Sequence, residues 1–182
     1  MMIELSKCTM QHDVDRNGKT EKSNKTAFLF DDNDLMKKLG FNDINAFKKV
    51  DYVKIHNDKV YLIEFTDLSN EIKECLDISL LLDIKTSDII KFLKENNADL
   101  KMIKKKLWLE VIEEFKGKFI SSIACYERLL RLNNQNTDFQ YSLMIVLKNE
   151  TDPKYFNFLD IFLKQKLRNL TGEIQILRTK DL

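Results

Sequence analysis

The spacing of apolar residues changes period several times along the chain, and each change predicts a different element. Around Asn57-Asp58, the stretches "DYVKIH" and "KVYLIEFTD" place Val53, Ile55, Val60 and Leu62 at alternating positions, the period of a strand with one buried face. Two such runs on either side of Asn-Asp predict a hairpin closed by a two-residue type I′ turn. Upstream, Ile3–Cys8 and "TAFLF" (26–30) predict two more strands, separated by the polar stretch 11–26 with its turn-forming Asn17-Gly18. "LMKKLGF" follows "DDND" and predicts a short helix whose first turn sits among acids, which suits the helix dipole.

After the hairpin the period becomes helical. Ile72, Leu76, Leu80 and Ile84 recur on one stripe, with Ser69 placed as N-cap. A break at "KTSD" starts a second helix, "IIKFLKENN", capped by Ser87 or Asp88. A third, long helix is predicted from Ala98 to about Leu132, with Leu100, Ile103, Leu107, Val111, Phe115, Phe119, Ile123, Tyr126 and Leu130 on its apolar stripe, Trp108 beside it and Gly117 as the place for a kink. "FQYSLMIVLK" then reads as a strand covered on both faces. Asp152 caps a helix with Pro153 at its first position that ends before Gly172, and "EIQILR" is a last strand. The closing strand–helix–strand unit predicts a right-handed crossover into parallel pairing. The expected fold class is α/β, a mixed central sheet flanked by helices, in a single domain over 1–182 with 1–26 expected as a partly mobile N-terminal segment.

Composition narrows the function classes. At 182 residues and 43% hydrophobic, the chain buries one good core. The net charge of +1 gives no overall pull toward nucleic acid, membranes or acidic partners, so a nucleic-acid footprint must be local. Three cysteines, Cys8, Cys75 and Cys125, are far apart and lack metal or disulfide spacing, which makes a reducing, cytoplasmic compartment the default. No secretory signal is read at the amino end, and no run approaches the roughly 18 apolar residues of a membrane span.

The hairpin carries the candidate chemistry. With a two-residue turn every opposed pair sums to 115, so Asp51 lies across from Glu64. Opposed residues have Cβ atoms roughly 4.5–5.5 Å apart. Two like charges at that distance beside an apolar face require a shared proton or a cation between them, and a divalent metal with oxygen ligands meets that need. The plainer reading is a splayed hairpin end with each acid solvated or paired with a lysine.

This arrangement resembles the core of the PD-(D/E)XK nuclease superfamily, the restriction-endonuclease-like α-β-β-β-α-β order that holds a metal with an Asp on one strand and an acid-x-Lys on the next. Asp51 matches the first acid and Glu64-Phe65-Thr66 the second acid and its neighbours. The resemblance covers about Ala27 to Lys148. It implies metal ligation by Asp51 and Glu64, Mg²⁺ or Mn²⁺ as cofactor, and DNA or RNA as substrate. The chain departs from the family at Thr66, where the family has lysine, and strand alternation sends Lys54 and Lys59 to the opposite face. Some members are similar in taking a lysine from the following helix, and Lys73 is the nearest such residue. Glu21 is available as the further upstream acid.

Other signals have bland readings. Asp31, Asp32 and Asp34 suit helix capping, "KMIKKK" (101–106) a solvated helix face, Cys125 and Tyr126 packing, and His56 solvent. Two functions therefore follow as expectations. One is a divalent-metal-dependent nuclease with Asp51, Glu64 and Lys73 as its catalytic set. The other is a catalytically inactive nuclease-fold binding protein, a toxin immunity protein or inhibitor or a defence-system accessory subunit, whose acids face a basic protein partner. A dimer is left open by spare apolar positions on the long helix, and no membrane role is expected.

Overall fold

The computed structural model describes residues 2–14, 18–41, 47–84, 87–167 and 170–182, without the side chains of 69–72, 74, 76, 108 and 158. Among the described residues six strands form one sheet in chain order: β1 Lys7–Gln11, β2 Lys22–Leu29, β3 Tyr52–His56, β4 Lys59–Thr66, β5 Gln140–Leu147 and β6 Ile174–Arg178. β1 to β4 are antiparallel neighbours, whereas β4–β5 and β5–β6 pair in parallel. The helices are α1 Asn33–Lys38, α2 Leu68–Leu81, α3 Asp88–Glu95, α4 Leu100–Leu132 and α5 Lys154–Leu167. The result is the mixed sheet flanked by helices that the alternating periods predict.

The hairpin forms in the predicted register, from Tyr52 opposite Ile63 to His56 opposite Lys59. Asn57 and Asp58 sit at φ of 48° and 58°, the left-handed pair that a type I′ turn demands and that these two residue types tolerate. Strand alternation then sorts the side chains. Val60 and Leu62 of β4 enter the main core with Val53, Leu143, Ile145, Phe115 and Phe119, while Ile63 and Phe65 join a smaller cluster with Met10, Ala27, Tyr52 and Val146.

The core depends on α4, which runs unbroken through Gly117 for 33 residues. Its buried positions Val111, Phe115, Phe119, Tyr126 and Leu130 belong to the predicted stripe, so the stripe faces the sheet. Ser122, also fully buried, accepts a hydrogen bond at 3.0 Å from Val50 N–H, fixing α4 in register with the approach to β3. Asp99 starts the helix, its carboxylate accepting from the amides of Lys101 and Met102.

Several boundaries depart from the sequence reading. The first strand lies at Lys7–Gln11 rather than Ile3–Cys8, and β2 begins at Lys22, four residues before the apolar run. Backbone pairing across β1 and β2 recruits polar residues that side-chain periodicity cannot mark, so much of 1–26 belongs to the sheet. α2 begins after Asp67, not Ser69. Of its predicted stripe, Leu80 and Ile84 are 63% and 48% exposed, because this part of the chain touches the body mainly through α4. The side chains of Ser69, Ile72, Leu76 and Trp108, and residues 85–86 of the predicted break, lie outside the described residues, as does Asn17.

Phe119 is fully buried where α4 meets the sheet. Phe119→Ala is expected to cost about 3–5 kcal/mol of folding stability, read as a lowered midpoint in urea-induced unfolding.

Candidate metal and acid-base site

Period-two alternation places Glu64 on the same face as Val60 and Leu62, which is the face that α4 covers. A carboxylate is thereby carried into the apolar layer, and Glu64 is only 3% exposed. Burial of an ionised carboxylate is expensive without a partner. The partner comes from α4: Lys118 Nζ donates to Glu64 Oε1 at 2.5 Å. The same ammonium lies 3.5 Å from Glu114 Oε1, one helical turn back. Glu64 Oε2 is buried and has no hydrogen-bond partner among the described residues.

Asp51 is held at both ends. Its side-chain Oδ2 accepts from Phe65 N–H at 2.7 Å, and its backbone carbonyl accepts from the amides of Phe30 and Asp31 at 2.8 and 3.2 Å. The carboxylate therefore reaches across to β4 at the residue next to Glu64, as the hairpin register predicts. Burial pushes the Asp51 carboxyl up to about 6, opposed by the Phe65 amide and the charge of Lys118. Burial and then the charge of Asp51 push Glu64 up to about 8, with Lys118 opposing. Burial pulls Lys118 down, but the surrounding carboxylates, Glu64 first, outweigh it and its pKa is raised.

Glu64, Thr66, Glu114 and Lys118 line a recess of about 30 Å³, roughly the room of one water molecule. Val111 and Glu114 also form part of a larger cleft of about 690 Å³ between α2 and α4, whose walls include Lys48, Glu110 and Glu113. More acids surround the pair: Asp13 and Asp31 both raise the Asp51 pKa through their charge. Asp31 is itself paired with the buried Lys49 at 3.0 Å.

The structure thus brings Asp51 and Glu64 together and adds two residues the sequence reading missed, Lys118 and Glu114. Lys118 was legible only in part. It follows Phe115 by three and Glu114 by four, so it borders the apolar stripe, but nothing in the sequence says which strand position the stripe's edge meets. Lys73, the residue expected to replace the missing lysine, lies exposed on α2, and the ion pair to Glu64 is made by Lys118 instead. Glu21 precedes β2 and accepts from the amide of Asn149, tying two loops together. Asp32 caps α1 through the amide of Asp34, as the bland reading had it.

Among the described residues no three His, Cys, Asp or Glu side chains converge as a ready-made metal cage. Two carboxylates with one unpartnered buried oxygen still fit Mg²⁺ or Mn²⁺, which take one or two carboxylates and keep several waters.

The raised acids carry a pH signature. In the folded state Asp51 and Glu64 hold protons that the unfolded chain releases near its ordinary carboxyl values of 3.8 and 4.5. Their contribution to stability therefore falls as pH rises through that window, until about pH 8 where Glu64 ionises. Glu64→Gln is expected to flatten the upper part of this decline, measured as the difference in unfolding free energy between parent and variant across pH 5 to 8.5, roughly the span of the two transitions. A difference that stays constant with pH would contradict a raised Glu64. Compared with protein-family models, with curated proteins and with solved structures, the chain matches none.

Proposed function

We propose that this chain is a PD-(D/E)XK-like, divalent-metal-dependent phosphodiester hydrolase acting on DNA or RNA, with Asp51 and Glu64 as metal ligands. The observation that carries the reading is the paired carboxylates with Glu64 Oε2 unpartnered and the Lys118 ammonium at 2.5 Å. Thr66 stands at the family's lysine position, and Lys118 brings a cation to the same carboxylate from α4. The antiparallel β2–β3–β4 run, followed by helices and the parallel β5, supports the resemblance in strand order.

Mg²⁺ or Mn²⁺ at this pair would supply Lewis-acid polarisation of a phosphoryl oxygen and a more acidic water. The chain's own residues do the rest. The Phe65 amide fixes the aim of the Asp51 carboxylate, and the apolar wall of Leu68, Val111 and Phe115 limits water around Glu64. Lys118 is the group placed to steady negative charge developing on the phosphate, the role that Thr66 cannot fill.

A second reading has its own observation. The acids Asp13, Asp31 and Glu114 around the pair, with Glu110 and Glu113 in the adjoining cleft, suit a basic protein partner, as in an inactive nuclease-fold immunity or accessory protein. Its complex would form without divalent metal and weaken with added salt.

Incubation of purified protein with single- and double-stranded DNA and RNA in Mn²⁺ or Mg²⁺ tests the first reading. Cleavage is expected, lowered on the order of 10²–10³-fold by Asp51→Asn and by Lys118→Ala but within about twofold of the parent in Lys73→Ala. Undiminished cleavage by Asp51→Asn, or a loss in Lys73→Ala matching that in Lys118→Ala, would overturn the assignment.

A further inference from the structure

Lys118 stands between two acceptors of different character. Glu64 Oε1, at 2.5 Å, is buried beside the second carboxylate, whereas Glu114 Oε1, at 3.5 Å, belongs to a side chain that is 41% exposed. The Glu114–Lys118 spacing of four residues, acid first, is the favourable orientation for a helical ion pair. Among the described residues Glu114 has one other cationic contact, Lys48 at 3.9 Å, and that lysine is 62% exposed, so the contact leaves Glu114 largely available.

A divalent cation on Asp51 and Glu64 would meet the Lys118 ammonium head-on, since both take the same buried carboxylate. Like charges so close in a dry site repel strongly. The ammonium must then withdraw, and its flexible four-carbon stem permits a swing without moving α4. The unpartnered Glu64 Oε2 and the water-sized recess that Glu64, Glu114 and Lys118 share mark where the exchange takes place.

We infer that Glu114 is a positioning residue: it takes up the Lys118 ammonium when a divalent cation displaces it from Glu64, and so keeps that charge beside the site. The inference rests on the metal site proposed above. Lys118 acts as a resident competitor for the metal, and Glu114 lowers the cost of its leaving. The pair of residues acts on metal affinity as a unit, so their effects cannot add.

Calorimetric titration of Mn²⁺ alone into the parent, Lys118→Met, Glu114→Gln and the double variant tests this, with Asp51→Asn as the control for the site. Lys118→Met is expected to bind Mn²⁺ about tenfold more tightly than the parent, and Glu114→Gln about tenfold more weakly. In the Lys118→Met background, Glu114→Gln is expected to change affinity by less than about twofold. Equal weakening by Glu114→Gln in both backgrounds would mean that Glu114 attracts the metal directly, and would overturn the inference. Unchanged affinity in Lys118→Met would overturn it too, while binding lost in Asp51→Asn leaves the metal site standing. If no variant binds Mn²⁺, the metal reading itself falls and the inference with it. Circular dichroism confirms folding of each variant, and Lys118→Gln replaces Lys118→Met should the latter not fold.

Discussion

A carboxylate inside an apolar layer has to be answered by something, and the rest of the site follows from how Glu64 is answered. Strand alternation gives Glu64 no choice of face, because Val60 and Leu62 before it must point into the core. The answer is Lys118 from the middle of α4, with Asp51 held beside it by the Phe65 amide. Buried ion pairs are weak evidence for stability, since well-packed apolar residues often serve as well. Here one carboxylate oxygen also has no partner among the described residues and a second acid is raised by burial, so the arrangement costs stability that a purely structural solution would avoid. Strain of this electrostatic kind is characteristic of sites kept for chemistry or binding.

The scaffold is built to hold that pair still. β4 is central, bonded to β3 on one side and β5 on the other; Glu64 pairs with Ile145 of β5, one residue beyond the last β3 pair at Tyr52–Ile63. Asp51 sits just ahead of β3, yet the amides of Phe30 and Asp31 close on its carbonyl, and Val50 is bonded to Ser122 of α4. Ser122 follows Lys118 by one turn. The same helix therefore sets the height of the lysine and the position of the loop that carries the aspartate.

Much of this was legible in the sequence, for physical reasons that differ by element. The hairpin was, because a two-residue turn and period-two alternation together determine register. α4 and the parallel β5 and β6 were, because long apolar stripes and runs are the least ambiguous local signals. β1 and the start of β2 were not, since their strands are made by backbone pairing among polar residues such as Lys22, Asn24 and Lys25. Lys118 escaped because its role depends on how α4 is rotated and shifted against β4, a tertiary quantity with no local signature. The resemblance points to Lys73 on the helix that follows β4, whereas the lysine that pairs with Glu64 comes from the 33-residue α4, which returns across the sheet much later in the chain. The exposed Leu80 and Ile84 make the same point in reverse, as helical spacing marks a face without saying what covers it.

The paired acids as a divalent-cation site are tested most directly by anomalous diffraction from crystals of the protein grown with and soaked in Mn²⁺. An anomalous peak within bonding distance of the Asp51 and Glu64 carboxylates, with Lys118 drawn off Glu64, is the expected result. Crystals in saturating Mn²⁺ with no peak there, and with Lys118 still bonded to Glu64, would contradict it and leave the pair as a buried structural contact.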